Sequence, residues 1–316
     1  MISSEKPSAP PLARTTLDRA ADRRKDEVWL ADAWDRGLVL VVDLAKGGRA
    51  LVRDRPDGGT ALILMPSSAV PAGAERRFLG VDPDGTPVWS LDAPLTAGDG
   101  ERLADLREVG HLLDAGDTGL LTTAVALGNW HLSHLFSPRT GKPTEAVEAG
   151  WARVDADGAM MWPRTDPAMI VLVHDGVPGP AGRCLLGHNA AWPARSDGSR
   201  RYSCLAGFVE PGESAEAAVA REVLEEVGIK LSSIRYEGSQ GWPYPGSLML
   251  GFHAVADPSQ PLRLQPEEID EAHWFTRAAV AEMFLGDGAK TAPMRASIAF
   301  YLIEKWLLEE PESFSD

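Results

Sequence analysis

The chain has 316 residues, more than one average core accommodates, with 44% hydrophobic and 24% charged residues, so two globular domains are expected. Its formal net charge of −15 argues against a general polyanion binder, which needs Lys and Arg to displace counterions. A small phosphorylated ligand stays compatible, because metal ions can supply the positive charge.

Residues 1–15, rich in Ser, Pro and Ala, are expected to form a disordered tail. They lack the apolar core of a secretory signal, and no apolar run reaches a membrane span, so a cytoplasmic location is expected. A helical pattern covers LDRAADRRKDEVWLADAWD, residues 17–35. Short strand-like runs follow: LVLVVDL, ALVRD, TALILMPS, RRFLGV and PVWSLD, split by the turn sequences DRPDGG and DPDG. Two more helical patterns, ERLADLREVGHLLD and TGLLTTAVALGNWHLSHLF, lead to an amino-terminal α+β domain over residues 16–130. Residues 131–163 read as a linker, polar and irregular over 137–161. A carboxy-terminal domain over 164–316 opens with two strands, TDPAMIVLVHDG and CLLGHNAAW. Two cysteines, Cys184 and Cys204, are too few for a disulfide framework or a four-thiolate zinc site.

The chemistry concentrates after Gly207, where the chain reads GFVEPGESAEAAVAREVLEEVGI. The stretch SAEAAVAREVLEEV has good helix formers, Ser214 placed to cap its start and Gly228 to end it. Glu222, Glu225 and Glu226 stand at i, i+3 and i+4 and share a face, beside an apolar stripe of Val219, Val223 and Val227. Three carboxylates alone could be a solvated acidic face. As a set they suit a hard divalent cation, which takes oxygen ligands and keeps water for substrate phosphates.

Nine positions, Gly207, Glu213, Arg221, Glu222, Val223, Glu225, Glu226, Gly228 and Ile229, fit G-x5-E-x7-R-E-U-x-E-E-x-G-U, with U apolar. This pattern is similar to the Nudix box. Downstream, SQGWPYPGSLM resembles the SQPWPFPxSLM signature of the NADH pyrophosphatases, the NudC group. WPRTDPAMI, EEIDEAHWFTR and RASIAFYLIEKW resemble further elements of that group, so the likeness spans roughly residues 100–310. The resemblance implies an α/β/α sandwich with a mixed sheet behind a smaller α+β domain. It implies Mg²⁺- or Mn²⁺-dependent hydrolysis of the pyrophosphate bond of NADH or NAD⁺, giving a nicotinamide mononucleotide and AMP. Removal of NAD caps from RNA by the same cleavage, and a homodimer, are further implications. The alternatives are an ADP-ribose or other nucleotide-sugar pyrophosphatase, and a nucleotide sensor without turnover.

The resemblance also assigns residues. Gly207 and Gly212 permit the loop before the helix, and Glu213 pairs with Arg221 to hold loop to helix. Glu222 and Glu226 are metal ligands, Glu225 a ligand or base, and the Ala206 carbonyl and Glu268 further ligands. Gln240, Gly241, Trp242, Pro243, Tyr244, Pro245, Gly246 and Ser247 match the loop that shapes the dinucleotide site, and Ala299 a small residue near substrate. Trp162 and Phe208 are candidates to stack on a base, with core packing as the alternative for each. One departure is plain. The group's zinc-ribbon cysteines align with Ser137, Thr140, Val154 and Asp157, which cannot rebuild a thiolate site. No structural zinc is expected, and Trp151, Met160 and Met161 are expected to pack there instead.

Overall fold

An unbroken run of apolar side chains makes Leu38–Asp43 a strand with both faces covered, and Val39, Leu40 and Val42 are almost wholly buried. The computed structural model describes residues 7–70, 75–193, 196–285 and 289–309. It divides into two units. One comprises Leu12–Thr165 with Gly241–Ser247, the other Asp166–Gln240 and Leu248 onward, joined by the amino-terminal residues through Pro11.

In the first unit, α1 (Glu27–Asp35) precedes β1 (Leu38–Asp43), β2 (Arg49–Asp54), β3 (Thr60–Leu62), β4 (Met65–Pro66), β5 (Arg76–Val81), β6 (Pro87–Asp92) and β7 (Arg102–Ala104). Then come α2 (Leu106–Val109), α3 (Ala115–Ser133), β8 (Thr144–Val147), β9 (Ala152–Asp155) and β10 (Met160–Met161). The main sheet runs β3-β2-β1-β6-β5, with β4 on β1 and β7 on β2. It is mixed, since β1 is parallel to β6 and antiparallel to β2. Trp29, Trp34, Phe78 and Trp89 meet edge-on or tilted at 5.1–5.4 Å on one face. Helix α3 packs on β1, β5 and β6.

Several expectations change here. The helix expected over 17–35 begins only at Glu27, because Asp26 caps Trp29 N while Asp18 pairs with Val81 as an isolated bridge. The helix expected over 101–114 is instead β7 followed by the short α2. Ladder pairing with β2 captures Arg102–Ala104, and a capping box of Asp105 and Glu108 starts the helix after it. The irregular segment 137–161 is an antiparallel three-stranded sheet, β8-β9-β10. Of the expected disordered tail, residues 1–6 lie outside the described residues, while Leu12 is buried in a 3-10 turn.

The second unit contains β11 (Asp166–His174), β12 (Arg183–Asn189), β13 (Arg200–Arg201), β14 (Leu205–Phe208), α4 (Ala215–Val227), β15 (Leu231–Trp242) and β16 (Ser247–Ala256). It continues with β17 (Ile269–Thr276), α5 (Arg277–Leu285), β18 (Lys290–Thr291) and α6 (Ile298–Leu307). The sheet runs β15-β16-β11-β12-β17, with β14 on β11. One face packs Val219, Val223 and Val227 of α4 against Met169, Val171 and Leu185. The other packs α5 and α6 against Ile170, Leu172 and Leu186. Helices therefore cover both faces of the sheet, an α/β/α sandwich. Cys184 and Cys204 are free thiols inside the second core.

Candidate active site

Helix α4 is fixed at both ends. Ser214 accepts from Ala217 N at 3.1 Å, and Gly228 closes the helix in the left-handed region at φ 74°. Its valine stripe faces the core, so Glu222 and Glu226, one turn apart, share an edge of the helix. Backbone bonds then deliver a third carboxylate. Gln265 N donates to Glu226 O at 3.0 Å and Arg263 N to Val227 O at 2.9 Å, tying the approach to β17 onto the end of α4. The turn that follows, with Glu268 N and Ile269 N both donating to Gln265 O, places Glu268 beside the helix.

One carboxylate oxygen each from Glu222, Glu226 and Glu268 lies within 4.8 Å of the others. Glu226 is only 2% exposed, and its Oε2 has no hydrogen-bond partner. Burial, and then the neighbouring Glu222, Glu268 and Glu225 charges, push its pKa up to about 8. Burial also raises Glu222. Three converging carboxylate oxygens, one of them buried and unpartnered, fit a hard divalent cation and fit little else, since their charges repel one another without it.

Glu225 stands apart from this trio. It lies on the far side of Glu222 from Glu226, half exposed, and its Oε2 accepts from Arg221 Nη1 at 3.0 Å. Arg221 is the organiser of this edge. Its Nε and Nη2 each donate to Glu213 at 2.9 Å, Nη1 also reaches Glu222 Oε1 at 2.9 Å, and Nη2 reaches Phe208 O at 3.0 Å. One guanidinium thus joins the pre-helix loop, strand β14 and the acidic helix face.

Gly207 plays a different part from the loop freedom assigned to it. It sits on β14, and a Cβ there would lie 2.1 Å from both Cδ and Oε1 of Glu222. The bare backbone is what lets the carboxylate lie against the strand. Loop freedom belongs to Gly212, at φ 90°. Ala206, whose carbonyl the resemblance makes a ligand, is the neighbouring residue of β14.

Phe208 and Trp162 are 61% and 62% exposed, which removes core packing as their explanation. Two other assignments change. Ala299 is buried at 2% in α6, where its carbonyl faces Cys204 Sγ, so it packs in the core. Gln240 is buried at 1% and donates to Ala296 O at 3.1 Å, anchoring β15 to the segment before α6. The remaining loop residues, Gly241–Ser247, group with the first unit. There Asn129 Nδ2 donates to Pro243 O at 2.7 Å and the Arg107 guanidinium stacks 3.7 Å above the Tyr244 ring. Trp242 meets Tyr244 edge-on at 5.3 Å.

The segment aligned with the zinc ribbon is organised by Asp155, which carried no signal in the sequence. Its carboxylate accepts from Thr140 Oγ1 at 2.8 Å and from the backbone of Asp157 and Ala159, and Ser137 bonds it too. These bonds hold its pKa down at about 2. Lys142 pairs with Asp157 at 2.6 Å. Of the residues expected to pack here, Trp151 donates from Nε1 to Phe78 O at 2.6 Å under the Arg24 guanidinium, and Met160 and Met161 form β10. Among the described residues no helix is long and apolar enough to cross a membrane.

Comparison with known families places a NUDIX domain over residues 164–294 and an NADH pyrophosphatase-like rudimentary NUDIX domain over residues 41–130. The chain is similar to the NAD-capped RNA hydrolase NudC of Mycobacterium tuberculosis, 40% identical over 316 aligned positions that cover 95% of each. It is also similar to the NAD-capped RNA hydrolase NudC of Stutzerimonas stutzeri, 41% identical over 71% of this chain and 75% of that one. The human mitochondrial NAD(P)H pyrophosphatase NUDT13 is 38% identical over 64% of this chain and 55% of its own length.

Proposed function

The chain belongs to the NudC family of Nudix hydrolases, and from that premise we propose that it hydrolyses the pyrophosphate bond of NADH and NAD⁺ and of the NAD cap on RNA 5′ ends. Water adds across the P–O–P bridge. One phosphorus takes the hydroxyl, the other keeps the bridging oxygen, and two monophosphates leave: AMP, or RNA with a 5′-monophosphate, and a nicotinamide mononucleotide. The observation that carries this reading is the convergence of Glu222, Glu226 and Glu268 around an unpartnered buried oxygen.

Glu222, Glu226 and Glu268 would hold Mg²⁺ or Mn²⁺, with the Ala206 carbonyl as a further ligand. Such an ion polarises the phosphoryl oxygens and lowers the pKa of water. Arg221 holds Glu222 in place through Nη1 and leaves Glu225 Oε1 open to accept the proton of the attacking water. Phe208, exposed next to Gly207, offers a face to a base, at about 1–3 kcal/mol by analogy with single-stranded nucleic acids. Trp162 offers a second such face. Gly241–Ser247 shape the dinucleotide site with their conformation set by Arg107 and Asn129, and the functional form is a homodimer.

The test is product analysis with NADH, NAD⁺, NAD-capped RNA and ADP-ribose at matched concentrations, with Mg²⁺ and with Mn²⁺. AMP from NADH, with loss of turnover in Glu222→Gln, is expected. Full turnover in Glu222→Gln, or cleavage of ADP-ribose alone, would overturn the proposal. Light scattering on the full chain reads the oligomeric state.

A further inference from the structure

Two arginines and a histidine are buried in the core of the first unit. Arg77 on β5 and Arg153 on β9 are both buried, at 5% exposure each, and His131 of α3 is buried at 3%. Every nitrogen of Arg153 is used: Nε donates to Thr144 Oγ1, Nη2 to Thr144 O and Nη1 to His131 Nδ1, each at 2.7 Å. The Gly150 carbonyl takes a hydrogen bond from His131 Nε2 at 2.8 Å. Nδ1 is therefore the lone-pair acceptor, and the ring is neutral.

Arg77 is the exception. Its side chain shows no hydrogen bond to any described residue, and its Nε is sealed from solvent without a partner. Its cross-strand partner on the same face, Ser90 of β6, is 1% exposed, and its hydroxyl is also unpartnered. Two orphaned polar groups side by side in a core need an explanation. The nearby acids supply charge but no hydrogen bond: Glu75 and Asp92 both favour the charged guanidinium, yet Glu75 is half exposed and stays 3.6 Å from His131 Nδ1 and 4.0 Å from Arg153, and Asp92 accepts from Leu44 N.

The backbone beside Arg77 is itself unusual. Glu148, Ala149 and Gly150 are three consecutive left-handed residues, at φ 52°, 53° and 92°, a costly conformation for the first two. The turn lays Gly150 against the Arg77 stem: a Cβ there would lie 2.9 Å from Arg77 Cγ. Strained backbone, paired like charges and orphaned donors thus meet at one place.

We propose that Arg77 and Ser90, backed by Arg153, form a binding site for a small phosphate-class oxyanion, on residues other than the carboxylate cluster. A tetrahedral oxyanion takes the planar guanidinium fork and the serine hydroxyl together, and Glu75 gives way at the mouth. The bound anion neutralises the Arg77–Arg153 repulsion and ties β5 to β6 and β9.

The test is thermal unfolding of the full chain in EDTA, which keeps the carboxylate cluster free of metal and so unreceptive to phosphate. Inorganic phosphate is titrated against chloride, acetate and sulfate at matched ionic strength. Phosphate should raise the wild-type unfolding temperature saturably, and sulfate should follow it in part while acetate does not. Arg77→Met should lose this response and keep magnesium-dependent NADH cleavage. Glu75→Gln should lower the half-saturating phosphate concentration several-fold by removing a competing carboxylate. No phosphate response beyond chloride in the wild type, or an undiminished response in Arg77→Met, overturns the site. Should Arg77→Met fail to fold, an unchanged midpoint in Glu75→Gln overturns it.

Discussion

Replacing Gly207 by Ala separates geometry from chemistry at the carboxylate cluster. The new Cβ would lie 2.1 Å from Glu222 Cδ and Oε1, where ordinary contact needs about 3.4 Å or more, so the carboxylate must retreat by about 1.3 Å. The position has no left-handed φ, so the backbone accepts Ala. Glu222 is the flexible end of a long side chain, and the strain of fitting one methyl should cost no more than about 1–3 kcal/mol. Misplacement of a catalytic group by about 1 Å can cost about 10²-fold in rate. Gly207→Ala should therefore release AMP from NADH about 10²-fold more slowly, with its circular dichroism unchanged and its Mn²⁺ affinity, read by calorimetry, reduced. Activity within about fivefold of wild type would show that Glu222 does not need its place against β14, and the assignment of Gly207 would fail.

Glu226→Gln should abolish turnover yet raise the unfolding temperature in EDTA, because a neutral amide replaces a buried carboxylate without a partner. Added Mg²⁺ should stabilise the wild type and not this variant, and equal Mg²⁺ shifts in both would count against the metal site. Arg107→Ala removes the stack on Tyr244, worth about 0.5–2 kcal/mol; the expected result is a higher KM for NADH with kcat nearly kept, and an unchanged KM would detach the loop from substrate binding. His131 gives a pH prediction. Burial depresses it from 6.5 to about 4 with Arg77, Arg153 and Glu75 around it, so between those values the unfolded chain binds the extra proton. Stability is then fully present above pH 6.5 and falls by up to about 3 kcal/mol as pH drops through 4. Urea unfolding of wild type and His131→Gln should show a shallower acid slope in the variant, and parallel slopes would refute the assignment.

Much of the carboxylate edge was legible in the chain because it is local. Glu222 and Glu226 meet through helical spacing, and Ser214, Gly228 and the valine stripe state where that helix begins, ends and faces. The strands of the first unit were legible for the same reason, since short apolar runs bounded by turn residues record burial locally. Tertiary structure decided the rest. Glu268, named in the sequence by resemblance alone, reaches the cluster because Gln265 and Arg263 bond the end of α4, a contact with no sequence period. Glu225, equal to its neighbours in the motif, is drawn aside by Arg221. Segment 101–105 reads as helix until β2 claims part of it as a strand, and Gln240 and Ala299, matched to a substrate loop and a site wall, turn inward to the core. Asp155 shows the limit most plainly. An aspartate in a polar run looks solvated, and only the fold brings Ser137, Thr140 and two backbone amides to one carboxylate, because a hydrogen bond depends on where donors arrive in space and not on how far apart they stand along the chain.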